Sequence, residues 1–579
     1  MFLALIVIVL ALALGWPLGR YLARVMRGGP APGDALFLPV ERAVYRMLGT
    51  DPARGMSWRG YARAFVLSNL AVGLPVWVLF MTQAWLPLNP DAIPNMRWDT
   101  ALHTMVSFLT NTNQQHYSGQ AQLSYLSQMT GIVGLQVVTP MMGLALVVAT
   151  LRALGGGRGP AGASEAASPH PADAATGAGA GQVDVGNFWA DVLRPTLRVM
   201  LPLCLLWTLL LAWQGVPSTL AAGATAAPID ASAGMAAQKI PVGPVAPMVA
   251  VKQLGTNGGG WYGPNSSVPL ENPTPLSNLL QTLALVLLPV AIAFMVGPFT
   301  GRRRFTALVL GSMLLMSVLS SGAAIWSEAH SAAAASPALM EGKEVRFGAD
   351  ASALWAALTT QTSNGSVNAM HDSLAPLTGM VALGNMLVNA IWGGVGCGLQ
   401  QFLVYLLLAV FLAGLMTGRT PELFGRKIEA PEIKLLALLV LLQPLVLLGL
   451  TAVTLAVPSL TGNSNPGFHG ISQVFYEYTS AFANNGSGFE GLGDATWWWN
   501  LTCAAVLLLG RFPALIVPLA VAAGMARKRR APEGIGTLRV ETATFALTVV
   551  AVIVILTLLQ FMPVLVLGPI AEHLSLAAA

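Results

Sequence analysis

Apolar residues in this chain come in long unbroken runs, and the polar residues collect between them. Neither the one-in-two alternation of a half-buried strand nor the narrow apolar stripe of a surface helix dominates. Runs of about 20 residues match the ~30 Å hydrocarbon core of a bilayer. They predict crossings near 2–18, 64–86, 126–151, 199–213, 276–296, 305–326, 435–457, 498–525 and 543–567, with one more inside 377–416, ten in all. Four outward connections share a second pattern, a moderately apolar stretch too short to cross followed by a Gly/Asn/Thr/Ser segment. They are "TALHTMVSFLTNTNQQHYSG" from Thr100, "PVAPMVAVKQLGTNGGGWYG" from Pro244, "ALWAALTTQTSNGSVNAMHD" from Ala353 and "GISQVFYEYTSAFANNGSGFEG" from Gly470. The expected fold is an all-α polytopic membrane protein with four span–pore helix–loop–span repeats around one axis. The repeats cover 60–152, 191–299, 300–418 and 430–526, with an extra helix in 1–25 and another in 540–567. Residues 153–190, rich in Gly, Ala and Pro, predict a disordered insertion on the inner side.

Charge supports the crossing count. The chain has a mean hydropathy of +0.65 and only 9% charged residues. With ten crossings, 24 of its 30 Lys and Arg residues fall in alternate loops, five fall in the others, and Arg511 alone lies inside a crossing. Basic loops stay on the cytoplasmic side, so both termini are expected outside. The outer loops and tails carry 13 carboxylates against five basic residues, an acidic balance that favours approach by cations. The first apolar run has no basic residue before it, and Arg20, Arg24 and Arg27 follow it, which suits a retained span better than a cleaved leader. Cys204, Cys397 and Cys503 all fall in apolar segments and suggest no disulfide framework.

The polar segments are the candidate site. Irregular backbone is tolerated at membrane depth only where it lines a cavity. Four glycine-rich loops on one side would present a ring of carbonyl oxygens that replaces the hydration shell of a monovalent cation. The polar cores 110–115, 256–260, 362–366 and 484–488 contain no carboxylate, as suits K⁺ better than Ca²⁺ or Mg²⁺. The segment 377–416 is about twice too long for one crossing at 1.5 Å per residue. The run "GGVGCG" at 393–398 therefore marks either a break in a helix or a glycine-rich helix contact. Arg511, with no other charge nearby in its run, is expected to line a pathway rather than snorkel to the interface.

The motifs "TNTNQQHYSGQ", "KQLGTNGGGWYGPNSSVPLENPTP", "VNAMHDSL", "GGVGCGL", "GRTPELFGRKIE" and "SAFANNGSGFEGL" closely resemble the potassium-binding A subunits of the Kdp potassium-importing ATPases. These belong to a superfamily of K⁺ transporters with four pore-like repeats. The resemblance implies a selectivity filter of Asn111–Thr112–Asn113, Thr256–Asn257–Gly258, Ser363–Asn364–Gly365 and Asn484–Asn485–Gly486, with Gln115 at the pore mouth. It also favours a gate-like irregular segment at Gly393, Gly394, Gly396 and Gly398 beneath that filter, near Arg511. Asn364 stands where relatives often carry cysteine, and Gln114 and His116 stand where an aromatic and a serine are familiar. The chain has neither a G-x-x-x-x-G-K-[ST] loop nor the Asp-Lys-Thr-Gly signature of P-type ATPases, so no catalysis is expected of it. The resemblance implies K⁺ as the transported ligand, no cofactor, no nucleic acid, and a bacterial inner membrane as the location. The implied partners are a P-type ATPase B subunit, a C subunit and a small F subunit. The alternative is a channel-like K⁺ uptake protein of the Trk/Ktr type driven by membrane potential.

Overall fold

The computed structural model describes residues 2–155 and 183–578, apart from 231, 233, 533, 535 and 536. Most of the insertion expected at 153–190 lies outside the described residues. Its flanks are built in: 153–155 continue a span, and Asn187 caps the helix that starts at Phe188 by accepting from Ala190 N.

Among the described residues, ten helices are long and apolar enough to cross a membrane: Phe2–Arg27, Trp58–Trp85, Ser127–Gly155, Phe188–Trp213, Pro275–Thr300, Arg303–Ala329, Cys397–Met416, Ala430–Ala456, Trp497–Ala526 and Ala543–Leu576. Each coincides with a predicted crossing to within a residue at the shorter end, and most run several residues beyond it. The protein is thus an all-α, multi-pass membrane protein. The third and fifth spans are buried over 89% and 83% of their most apolar windows, whereas the first is buried over only 22%. Those two spans are therefore central, and the first turns most of its surface outward.

Four shorter helices stand between spans: Trp98–Leu109, Val245–Leu254, Ala349–Gln361 and Phe468–Phe482. At 1.5 Å per residue they reach only about halfway through a bilayer. Each occupies one of the four predicted half-crossing stretches, and each ends where a polar segment begins.

The seventh crossing is broken. A helix over Pro376–Val388 stops at Asn389, whose φ of 46° takes the chain out of helical geometry, and a second helix resumes at Cys397. The interval is irregular, which excludes the glycine-rich helix contact. The break begins earlier than the glycines suggested, at Asn389. Gly393, Gly394 and Gly396 lie inside it, while Gly398 belongs to the first turn of the following helix, against Trp392 and Gly393.

Two features were not expected from the pattern. An amphipathic helix, Asp34–Met47, follows the first span and is anchored by Arg198, which pairs with both Asp34 and Glu41. A small antiparallel hairpin pairs Ala224–Ala226 with Gln238–Ile240 in the connection before the second pore helix.

Candidate functional site

The four polar segments adopt one backbone design. In each, the second residue after the pore helix has left-handed φ: 62° at Asn111, 49° at Thr256, 47° at Ser363 and 52° at Asn484. Two residues on, φ is again positive, at 58° for Asn113, 67° for Gly258, 85° for Gly365 and 103° for Gly486. The residue between donates its N–H to the carbonyl five positions back: Thr112 to Ser107 (3.0 Å), Asn257 to Lys252 (3.0 Å), Asn364 to Thr359 (2.9 Å) and Asn485 to Ser480 (2.9 Å). Left-handed φ at a non-glycine residue is uphill by roughly 1–2 kcal/mol, so its recurrence at four equivalent places reflects a geometry imposed by the surroundings.

These loops meet in a ring. Cβ atoms built on Gly258, Gly365 and Gly486 would collide with the carbonyl oxygens of Asn364, Asn485 and Thr112 respectively. The second loop thus abuts the third, the third the fourth, and the fourth the first. The circle closes where Asn113 Nδ2 donates to Gly258 O at 2.7 Å. Glycine is required at three of the third positions because a neighbour's carbonyl occupies the space of a side chain. The remaining loop carries an asparagine that spans the gap. The twelve residues expected to form the filter are therefore together, and Gln115 joins them from above. Its amide clamps the second loop, donating to Gly260 O at 3.0 Å and accepting from Gly260 N at 2.7 Å.

Side-chain amides brace the ring from behind. Asn364 Nδ2 donates to Lys252 O (2.9 Å) and Asn485 Nδ2 to Thr359 O (2.8 Å), each reaching back to the preceding pore helix, while Asn257 Nδ2 donates to Asn111 Oδ1. Asn364 is accordingly a strut, and its side chain leaves the carbonyl chemistry of the loop to the main chain. Lys252 itself is buried and pairs through Nζ with Glu271, which also accepts from Tyr262 N (3.1 Å). This ion pair ties the segment after the second loop to the second pore helix. Spacing in the sequence does not reveal it, since 19 residues separate the partners.

Beneath the ring lies the broken crossing. Gly394 sits under three loops at once: a Cβ there would stand 3.5 Å from Thr256 Oγ1, 3.8 Å from Asn111 Nδ2 and 3.9 Å from Ser363 Cβ. Val395 N donates to Thr256 Oγ1 (2.9 Å), Gly393 N donates to Gln361 O (2.7 Å), and Asn389 Nδ2 donates to Ala483 O (3.1 Å). A small cavity there is lined by Asn111, Ser363, Gly394, Cys397, Asn484 and Arg511 among others. Arg511 is only 3% exposed, which rules out snorkelling. Its guanidinium donates to Cys397 Sγ (2.6 Å) and to Thr139 O (3.2 Å). A fixed cation therefore stands just below the ring.

Known proteins match along almost the whole chain. The family model for the potassium-transporting ATPase A subunit covers residues 5–574. A potassium-transporting ATPase potassium-binding subunit from Gloeobacter violaceus is 43% identical over 96% of this chain and 95% of its own length. The equivalent subunit from Pseudomonas putida is 44% identical over 99% of this chain and 98% of its own. Among solved structures, the potassium transporter TrkH from Vibrio parahaemolyticus superposes with a TM-score of 0.49 at 15% identity, over 89% of this chain and 97% of that one. At such identity and coverage, this chain belongs to the family of potassium-transporting ATPase A subunits.

Proposed function

We propose that this chain is the K⁺-selecting and K⁺-translocating subunit of an ATP-driven potassium importer in a bacterial inner membrane, with both termini outside. The single observation that carries this is the ring: four loops of one backbone design, each abutting the next at the end of a half-crossing helix and without a carboxylate in their polar cores. Carbonyl dipoles held this rigidly can replace the hydration of a large monovalent cation, while a smaller ion would leave the ring too wide to coordinate it well. K⁺ would enter from the outer side past Gln115 and be held by carbonyls of Asn111–Asn113, Thr256–Gly258, Ser363–Gly365 and Asn484–Gly486. The segment 389–396 and Arg511 would then bar straight passage, by obstruction and by repulsion respectively, so that the ion leaves sideways towards a partner. ATP hydrolysis belongs to that partner, a P-type ATPase B subunit, with C and F subunits completing the complex. This chain supplies no catalytic group and needs no cofactor.

The decisive experiment is ATPase activity of the purified complex against graded K⁺, Rb⁺, NH₄⁺ and Na⁺. Stimulation is expected at the lowest concentration for K⁺; indifference to the monovalent cation would overturn the proposal. Arg511→Gln tests the barrier separately. It keeps a donor for Thr139 O and removes the charge, so it is expected to shift the half-saturating K⁺ concentration by several-fold, or to open a passive K⁺ leak in vesicles, with assembly unchanged. Kinetics and leak both equal to wild type would place Arg511 outside the ion's path.

A further inference from the structure

The four seams of the ring are not braced alike. At three of them the middle residue of a loop is asparagine (Asn257, Asn364 or Asn485), and its amide reaches the preceding repeat. The fourth middle residue is Thr112, whose hydroxyl is paired within its own loop to Thr110 Oγ1 at 2.9 Å. By the symmetry of the other three, the seam between the fourth loop and the first lacks its strut.

Behind that seam stands Glu477, on the fourth pore helix and 1% exposed. Gln114, in the first loop, donates its amide to the Glu477 carboxylate and, at 3.3 Å, to the Glu477 main-chain carbonyl. His116 Nε2 lies 3.4 Å from the same carboxylate oxygen. Glu477 Oε2 also faces the loop that follows its own helix, where a Cβ on Gly488 would fall 2.8 Å from it. One carboxylate thus bonds the first loop through Oε1 and lies beside the fourth through Oε2.

The surrounding groups fix the polarity of this cluster. Asn500 Nδ2 donates to Asp99 Oδ2 (3.0 Å), which leaves Asn500 Oδ1 to accept from His116 Nδ1 (2.8 Å). Arg97 beside Asp99 holds its carboxyl down to about 2, so Asp99 is an acceptor and the orientation of Asn500 is set. With its Nδ1 proton committed, His116 donates to Glu477 through Nε2 only as imidazolium. His103 supports both partners, stacking on His116 at 3.7 Å between ring centroids and placing Nε2 3.3 Å from Gln114 Oε1. A buried carboxylate is costly unless it is hydrogen-bonded, and here Gln114 and His116, both from the first loop, meet it at Oε1.

We infer that Glu477 is the positioning residue that closes the ring between the fourth and first loops, with Gln114 and His116 as its partners. This rests on the four loops being the ion filter, and it names a determinant of their selectivity. Gln114 and His116, which depart from the aromatic and serine familiar in relatives, form one unit with the glutamate.

The test uses the assembled complex, reading half-saturating concentrations of K⁺, NH₄⁺ and Na⁺ for ATPase stimulation. Glu477→Ala removes the acceptor and is expected to reduce the preference for K⁺ over NH₄⁺ about tenfold, the worth of one buried hydrogen bond to a charged group. Glu477→Gln keeps an oxygen for the Gln114 amide and is expected to stay within about twofold of wild type. Unchanged ion ratios in Glu477→Ala would overturn the inference, as would equal losses in the two variants. Should Glu477→Ala fail to assemble, Gln114→Ala cuts the same brace from the other side. Its ratios are expected to move in the same direction, and wild-type ratios would again overturn the inference. A wild-type complex without K⁺ preference would instead remove the filter itself, so the two failures are distinguishable.

Discussion

Gly258→Asp is expected to destroy the preference for K⁺. A side chain at this position begins with a Cβ that collides with the Asn364 carbonyl oxygen and stands 2.6 Å from Ser366 N, so the second and third loops must part. The left-handed φ of 67° adds strain for any residue but glycine. Overpacking of this kind against main chain costs on the order of 1–3 kcal/mol. That energy falls on the carbonyl positions, because the loop is pinned at Lys252 O by the N–H groups of both Asn257 and Gly258. The carboxylate also adds a full negative charge where neutral dipoles had balanced dehydration, which favours smaller, harder cations. The half-saturating K⁺ concentration for ATPase stimulation should rise at least about tenfold, with Na⁺ and NH₄⁺ becoming effective stimulants. Gly258→Ala separates the two causes, since it makes the same collision without the charge. It should weaken K⁺ binding with a smaller gain for Na⁺. Retained selectivity in Gly258→Asp, in a complex expressed at normal level, would take this loop out of the filter.

Lys252→Met should cost the protein its stability. Lys252 and Glu271 are both fully buried, and each is the other's counter-ion. Truncating the ammonium leaves the Glu271 carboxylate in the interior with only the Tyr262 N–H, at 3.1 Å, and the Ser266 hydroxyl, at 3.3 Å, as donors. Breaking a buried pair from one side typically costs about 3–5 kcal/mol, because the survivor is an uncompensated charge. A low yield of folded protein, or a melting temperature in detergent lower by about 5 °C or more, is the expected outcome. Adding Glu271→Gln removes the stranded charge and should recover a good part of the loss. A single variant that melts with wild type would show that the carboxylate finds water or a proton there at little cost.

Which features were legible from the residues follows from the range of the forces that fix them. Crossings depend on local transfer free energy, so the ten spans and the four half-crossing stretches could be located from composition and order. The glycine-rich loops were legible for a related reason, since free backbone at membrane depth needs a cavity wherever it occurs. The broken seventh crossing followed from length alone, although its true start at Asn389 did not, because asparagine enters left-handed geometry only where neighbours hold it. In the structure Ser363 Oγ, at 2.6 Å, and Ala483 O, at 3.1 Å, do so.

The tertiary structure alone decided how the loops are joined. The close approach of Gly365 to Asn485 O or of Gly486 to Thr112 O spans more than a hundred residues, and no periodicity encodes such a meeting. The same holds for buried charge. Lys252, Glu271 and Glu477 look in the sequence like ordinary polar residues near loops, because a charge inside a membrane protein is tolerable only when its partner is adjacent in space, and spatial adjacency is what the linear order omits. Sequence thus set what each segment is made to do within the bilayer, and packing set which segments do it together.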